Sequence, residues 1–175
     1  MNDNKFINRR KEPRLPYFDK VIVSNSGKHL TAHAVNISRG GIFITTMEAF
    51  PIDTNGYAVF MIPNYDRTLA IKTRIAHIVF DKQRSDVECG MGLEFLELSQ
   101  THSNLLNLHM LSDQKNYFEL RDLLSQEKPD LLSINLLRSK LPGLSHYDLL
   151  GLKYRINRIC TLFEQPTMSN SLTAA

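Results

Sequence analysis

Tryptophan is absent from this chain of 175 residues, and cysteine occurs only 2 times. Cys89 and Cys160 are far apart and neither belongs to a C-x-x-C pair, so the spacing supports neither a zinc site nor a disulfide framework, and both read as reduced, partly buried thiols. No run approaches the ~18 to 20 continuous apolar residues of a membrane span, and the polar N-terminus lacks the apolar segment of a signal peptide, so a cytoplasmic protein is expected. There is no G-x-S-x-G elbow, no H-E-x-x-H and no P-loop, and no Ser or Cys has a recognisable base in its pattern. Catalytic residues are therefore assigned nowhere, and no enzyme is expected. His29 and His33 stand four apart, but in strand-like sequence without a carboxylate or cysteine companion, so no metal and no cofactor is assigned. A strong excess of one charge is missing too: 21 basic against 18 acidic residues leave +3, and position matters more than the total.

What is present is an ordinary globular composition, 42% hydrophobic and 22% charged, long enough for one good core with a smaller attachment. Residues 1–19 mix charge, Asn and Pro without periodicity and read as a mobile basic arm carrying Arg9, Arg10 and Arg14. From Lys20 the pattern turns to short β-type runs: Val21 to Val23, Leu30 to Val35 after the Asn25-Ser26-Gly27 turn, Ile42 to Thr45, Tyr57 to Ile62, Leu69 to Phe80 and Met91 to Leu96. In the fifth run Leu69, Ile71, Ile75 and Val79 are expected on one face, with Lys72 and Arg74 on the other. Strands at such spacing, separated by turns rather than helical crossovers, predict a closed antiparallel barrel.

After Leu98 the texture becomes helical. Ser99 or Thr101 caps a helix through Leu105, Leu108 and Leu111. Further helices are expected around Tyr117 to Glu127, Leu131 to Lys140 and Ser145 to Phe163, divided by Pro129 and by Pro142-Gly143. Ser145 with Asp148 resembles a capping box. Leu149, Leu152, Ile156, Ile159 and Phe163 fall on one stripe that must be buried, either on neighbouring helices or in a dimer seam. The small, polar residues 166–175 read as a disordered tail.

Two stretches are suited to holding an anion. Asn8-Arg9-Arg10-Lys11-Glu12-Pro13-Arg14 sets arginines on a segment that Pro13 and Pro16 keep out of a helix, and Asn36-Ile37-Ser38-Arg39-Gly40-Gly41 packs an amide, a hydroxyl and two glycines into a short turn. Arg10 and Arg14 make R-x-x-x-R, and Asn36, Ser38 and Gly41 make N-x-S-x-x-G. Together with Gly90-Met91-Gly92-Leu93-Glu94-Phe95-Leu96, their order and spacing resemble the PilZ domain, over roughly residues 8–110. The resemblance implies a six-stranded antiparallel barrel that binds the bacterial second messenger cyclic di-GMP. The helices, residues 111–165, lie outside it.

The chemistry asks for these residue types in its own right. Cyclic di-GMP offers phosphates and guanines, and the planar guanidinium fork pairs bidentately with phosphate, or with guanine O6 and N7, and also stacks on a base. By the resemblance, Arg10 and Arg14 grip guanine and phosphate. Arg9, directly before the motif, goes in this family with an intercalated pair of ligand molecules, so two per site are expected. Asn36 meets the guanine edge, Ser38 bonds a phosphate or base, and Gly40 and Gly41 let the backbone approach, with Arg39 as a further phosphate contact. Asn36 stands where Asp is also found in the family, and an amide offers one acceptor oxygen where a carboxylate offers two. The expected mechanism is arm ordering that repositions the helices against a protein partner or a second copy. Two other readings stay open: a ligand-independent adaptor acting through the helices, and a nucleic-acid-binding barrel, which the modest charge and the lack of an aromatic-basic strand face disfavour.

Overall fold

The computed structural model describes residues 13–63, 65, 67–80 and 89–164. Arg9 and Arg10, and the tail beyond Gln165, lie outside the described residues. Seven strands form one antiparallel sheet: β1 (Leu15–Pro16), β2 (Lys20–Asn25), β3 (Lys28–Ser38), β4 (Gly41–Thr45), β5 (Asn55–Met61), β6 (Thr68–Val79) and β7 (Gly90–Glu97). The order β3-β2-β5-β6-β7-β4 closes on itself because β4 also pairs with β3, giving a six-stranded barrel with β1 as an extra strand. Alternation decides which side chains fill it. Val21 and Val23, Ile42 and Ile44, Leu69 and Ile71, and Met91 and Leu93 point inward, each pair two residues apart.

Among the described residues, register shifts interrupt simple alternation at three places, one of them in the β6–β7 pairing between Lys72 and Thr73, and the other two shape the surface. β3 carries an irregularity between Ala34 and Asn36, and β6 carries one between Ile75 and His77. The second shifts the parity of β6, so that Ile78 packs against the core where Val79 was expected. The arm expected over residues 1–19 is docked from Leu15 onward: Leu15 pairs with Ile37, Tyr17 donates its backbone N–H to Val35, and both side chains are buried. Their alternation in Leu15-Pro16-Tyr17 lays this short piece along β3 beyond the end of β2, and proline is tolerated at such an outer strand.

Three helices follow, α1 (Gln100–Leu124), α2 (Leu131–Lys140) and α3 (Leu149–Glu164). α1 is one helix of 25 residues where two were expected. No Gly or Pro interrupts it, and its buried stripe runs Leu106, Met110, Asp113, Tyr117, Leu120, Leu124 at spacings of three and four. The polar member Asp113 masked that continuity in the sequence. The boundary expected between residues 110 and 111 thus falls inside a helix. Ser99 caps α1 by accepting from the His102 N–H at 3.1 Å, and Asp130 caps α2 by accepting from Leu132 at 3.0 Å. α3 starts at Leu149 rather than at Ser145, because the capping carboxylate belongs to Asp148, which accepts from the Gly151 N–H at 2.7 Å. Its stripe is buried within the molecule: Leu152, Ile156, Ile159 and Cys160 are covered, Phe163 meets the Tyr117 and Phe118 rings, and Leu149 stays exposed.

Barrel and helices share one core. Tyr17 touches Phe60 inside the barrel and His109 on α1, each edge-on at 6.1 Å between ring centres, and its hydroxyl donates to the Met61 carbonyl. The helices accordingly pack on the barrel.

Candidate functional site

The turn between β3 and β4 is a tight hairpin. Ser38 pairs with Gly41, and the Ser38 hydroxyl donates to the Gly41 carbonyl at 3.3 Å, leaving Arg39 and Gly40 exposed at the tip. Neither glycine has positive φ. Gly41 is required for a different reason: a Cβ there would run into the carbonyl oxygen of Leu93 on β7, whereas one at Gly40 would meet nothing. The Gly40 carbonyl accepts from the Phe95 N–H at 2.9 Å, which pins the tip to β7.

Beside this hairpin lies an open groove of about 410 Å³, with Arg14, Ser38, Gly40 and Gly41 on one side and Arg74, His77, Gly92 and Glu94 on the other. The structure therefore brings Arg14 of the arm to the Ser-Gly turn. Arg74 is held in place, its Nε and Nη2 donating to Glu94 at 3.0 and 2.5 Å and its Nη1 to Asp53 at 3.1 Å. Hydrogen bonding to Glu94 pushes its pKa further up, so Arg74 stays charged while Glu94 and Asp53 balance it. Lysine at 72 makes a separate pair with Glu97 at 2.8 Å.

The groove floor is built across three strands. Gly92 is the cross-strand partner of both Phe43 on β4 and His77 on β6, and because it has no side chain the two rings stack over it at 5.9 Å with 18° between their planes. A Cβ at Gly92 would collide with the His77 imidazole. Of the two rings only His77 lines the groove, a residue that the sequence did not single out. Its signal was indirect: a Gly-x-Gly strand, and a histidine whose orientation depends on the β6 irregularity.

Asn36 sits on the other side of Arg14. It does not line the groove but the adjoining hollow of about 210 Å³, between β1, β3 and α3, together with Arg14, Arg155 and Arg158. Its Oδ1 is out of reach of solvent and has no hydrogen-bond partner among the described residues. Arg14 lines both spaces, so the turn and Asn36 sit on either side of one guanidinium. Arg39 lines neither, and Arg155 and Arg158 of α3 are site neighbours that a motif confined to the barrel could not reveal.

Among the described residues no cluster of His, Cys, Asp or Glu is placed to hold a metal ion, and no helix is long and apolar enough to cross a membrane. Titration is perturbed away from the groove, at the barrel–helix contact. Burial pushes the Asp113 carboxyl up to about 6 and pushes the His109 imidazole down, the two lying 3.8 Å apart.

Comparison with known proteins agrees with this architecture. Among solved structures, the chain resembles the Bacillus subtilis inhibitor of motility MotI/DgrA, with 20% identity, a TM-score of 0.54, and coverage of 63% of this chain and 53% of that one. It also resembles the K. pneumonia MrkH–c-di-GMP complex (17% identity, TM-score 0.52, coverage 61% and 52%). YcgR from Escherichia coli in complex with c-di-GMP is similar at 14% identity and TM-score 0.51, with coverage of 66% and 50%. The match thus spans about half the length of each of these proteins. A comparison with curated proteins finds no match. The model of the PilZ domain matches residues 8–112, more than half of the sequence. With its closed six-stranded barrel, its Ser-Gly hairpin and its arm strand in that same stretch, this chain belongs to the PilZ domain family.

Proposed function

We propose that the protein is a non-enzymatic cytoplasmic receptor for cyclic di-GMP, which it binds in the groove between the arm and the β3–β4 hairpin. The observation that carries this reading is the convergence of Arg14 with Ser38, Gly40 and Gly41 on one open groove, although they are more than twenty residues apart in sequence. A guanidinium fork, a hydroxyl and an unobstructed turn are what a phosphate beside a guanine needs. The groove volume of about 410 Å³ falls within the ~300 to 1,000 Å³ usual for small-molecule sites. His77, backed by the Phe43 ring, supplies a flat face for a base. Two of the similar structures are complexes with c-di-GMP, which is consistent with the reading.

In this account Arg9 and Arg10 complete the grip from the arm, two ligand molecules share the site, and ordering of the arm is passed to the helices and on to a protein partner. Titration calorimetry with cyclic di-GMP tests it. Binding in the micromolar range or tighter is expected, and Arg14→Ala and Ser38→Ala each weaken it by ~1 to 3 kcal/mol, the worth of a charge-assisted or base-edge hydrogen bond. Absence of heat at high micromolar ligand would remove the receptor reading.

One observation favours a second reading, a ligand-independent adaptor. Leu132 and Leu136 on α2 and Leu150 and Tyr154 on α3 are exposed, giving the helices apolar surface outside the barrel. The adaptor reading predicts that Arg14→Ala leaves partner binding intact, and the receptor reading predicts that it abolishes the ligand's effect on that binding.

A further inference from the structure

The hollow beside the groove has features that the barrel motif does not explain. It is walled by Arg14 and Asn36 on the strand side and by Arg155 and Arg158 on α3, one helical turn apart, with Ile159, Phe18 and Leu162 completing the wall. Among the described residues neither Arg155 nor Arg158 forms an ion pair with a carboxylate. Like charges at this helical spacing repel rather than support each other, and Arg14 adds a third cation from across the hollow. Asn36 lines the same hollow, its buried Oδ1 without a hydrogen-bond partner among the described residues. Two α3 guanidiniums without a carboxylate partner among the described residues, converging with Arg14 on a partly apolar hollow, make an electrostatic arrangement that an anion would complete.

We infer that this hollow is a second anion subsite, in which Arg155 and Arg158 of α3 together with Arg14 hold a phosphate of a guanine nucleotide seated in the neighbouring groove. The subsite deepens the proposed function and rests on it for the identity of the nucleotide, though not for the anion chemistry itself. At about 210 Å³ the hollow is below the usual size for a whole nucleotide-sized ligand, so it takes a group of the ligand, while the groove of about 410 Å³ takes the rest. Arg14, shared by both spaces, is the junction. The consequence is a direct route from ligand to helix: occupancy neutralises the α3 guanidiniums in place, and α3 senses the ligand by contact rather than only through closure of the arm.

The test is calorimetry on the full chain with two probes, cyclic di-GMP and inorganic pyrophosphate, using wild type, the double variant Arg155→Gln with Arg158→Gln, and Lys153→Gln as a control. Lys153 is an exposed cation of the same helix that does not line the hollow. Glutamine keeps part of the aliphatic stem and helix propensity, and a thermal melt confirms that each variant folds as wild type does. The expected result is at least a tenfold loss of cyclic di-GMP affinity in the double variant and less than a twofold change in Lys153→Gln. Equal losses in the double variant and the lysine control would reduce the effect to general surface charge and overturn the subsite. Tight cyclic di-GMP binding that the double variant leaves unchanged would overturn it also, with the receptor reading intact. If cyclic di-GMP gives no heat, pyrophosphate decides: binding lost in the double variant alone upholds the subsite while the receptor reading falls, and no binding of either probe ends both.

Discussion

At Gly41 the barrel has no room for a methyl group. The obstruction is the Leu93 carbonyl, a backbone atom of the paired strand, so it cannot move aside as a flexible side chain could. Gly41→Ala is therefore expected to cost about 1 to 3 kcal/mol through overpacking, read as a lower urea midpoint, and to disturb the Ser38–Gly41 closure of the hairpin at the same time. Gly92 has the equivalent role for the groove floor, where its missing side chain lets Phe43 and His77 stack. Asp113 gives a prediction with a definite sign. Burial raises its pKa to about 6, so the folded state holds a proton that the unfolded state releases near 4, and stability falls as pH rises through that window. His109, pushed down by burial, acts in the opposite direction below its ordinary value, because acidification must charge an imidazole that the fold keeps neutral. Asp113→Asn removes only the first effect. The variant is expected to be more stable than wild type above pH 6, by no more than about 2 to 3 kcal/mol, with the advantage fading towards pH 4. Urea unfolding at pH 5 and pH 8 measures the difference, and an advantage that grew on acidification would reverse the assignment.

The helices show which element-level signals are robust. α2 begins and ends where its cap and the Pro142-Gly143 breaker place it, and Gly143 sits at φ +72°, a conformation that glycine adopts without strain. Periodicity alone divides α1 in two because its stripe passes through Asp113, a buried carboxylate that hydrophobic periodicity cannot register. α3 shows cap and stripe working together. Asp148→Ala removes the cap and should cost about 1 kcal/mol. Ile156→Ala, at a fully covered position against α1, should cost about 2 to 5 kcal/mol. Loss of helical circular dichroism on mild heating, with the strand signal retained, would be the signature of α3 detaching in the second variant. The Arg121–Glu164 pair at 2.6 Å joins α1 to the end of α3 at the surface, where solvent and salt screen such pairs, so apolar packing carries the helix pair.

For the molecule as a whole, Tyr17 is the hinge between two regions that composition alone would treat as separate. Its ring meets Phe60 in the barrel and His109 on α1, and its hydroxyl is satisfied by Met61. Tyr17→Ala should cost about 3 kcal/mol or more and convert a single unfolding transition into two, seen as separate midpoints for strand and helix signals. Preservation of one sharp transition would mean that other contacts couple the regions. The same segment carries Arg14, directly before the buried Leu15 and three residues before the buried Tyr17, so the arm that presents a charge to the groove is also the strap that ties helices to barrel. That placement gives the arm a mechanical connection to α1 as well as an electrostatic one to α3.

What the sequence determined by itself was largely local or periodic. The barrel strands follow from two-residue alternation between turns, α2 from the breakers Pro129 and Pro142-Gly143, and the Arg14 and Ser38-Gly40-Gly41 halves of the proposed site from short motifs whose spacing is set within a few residues. What only the tertiary structure decided was everything that depends on closure. The bulge in β6 brings His77 over Gly92, and the Leu15–Tyr17 segment turns part of an apparent arm into a strand. The packing of α3 sets Arg155 and Arg158 opposite Asn36, which divides the expected single site into a groove and a hollow that share Arg14. The physical reason is range: hydrogen-bond capping and side-chain alternation act between near neighbours and leave a trace in the sequence, whereas the meeting of a strand with a helix more than a hundred residues later is fixed by the shared burial of apolar surface, which has no local pattern to read.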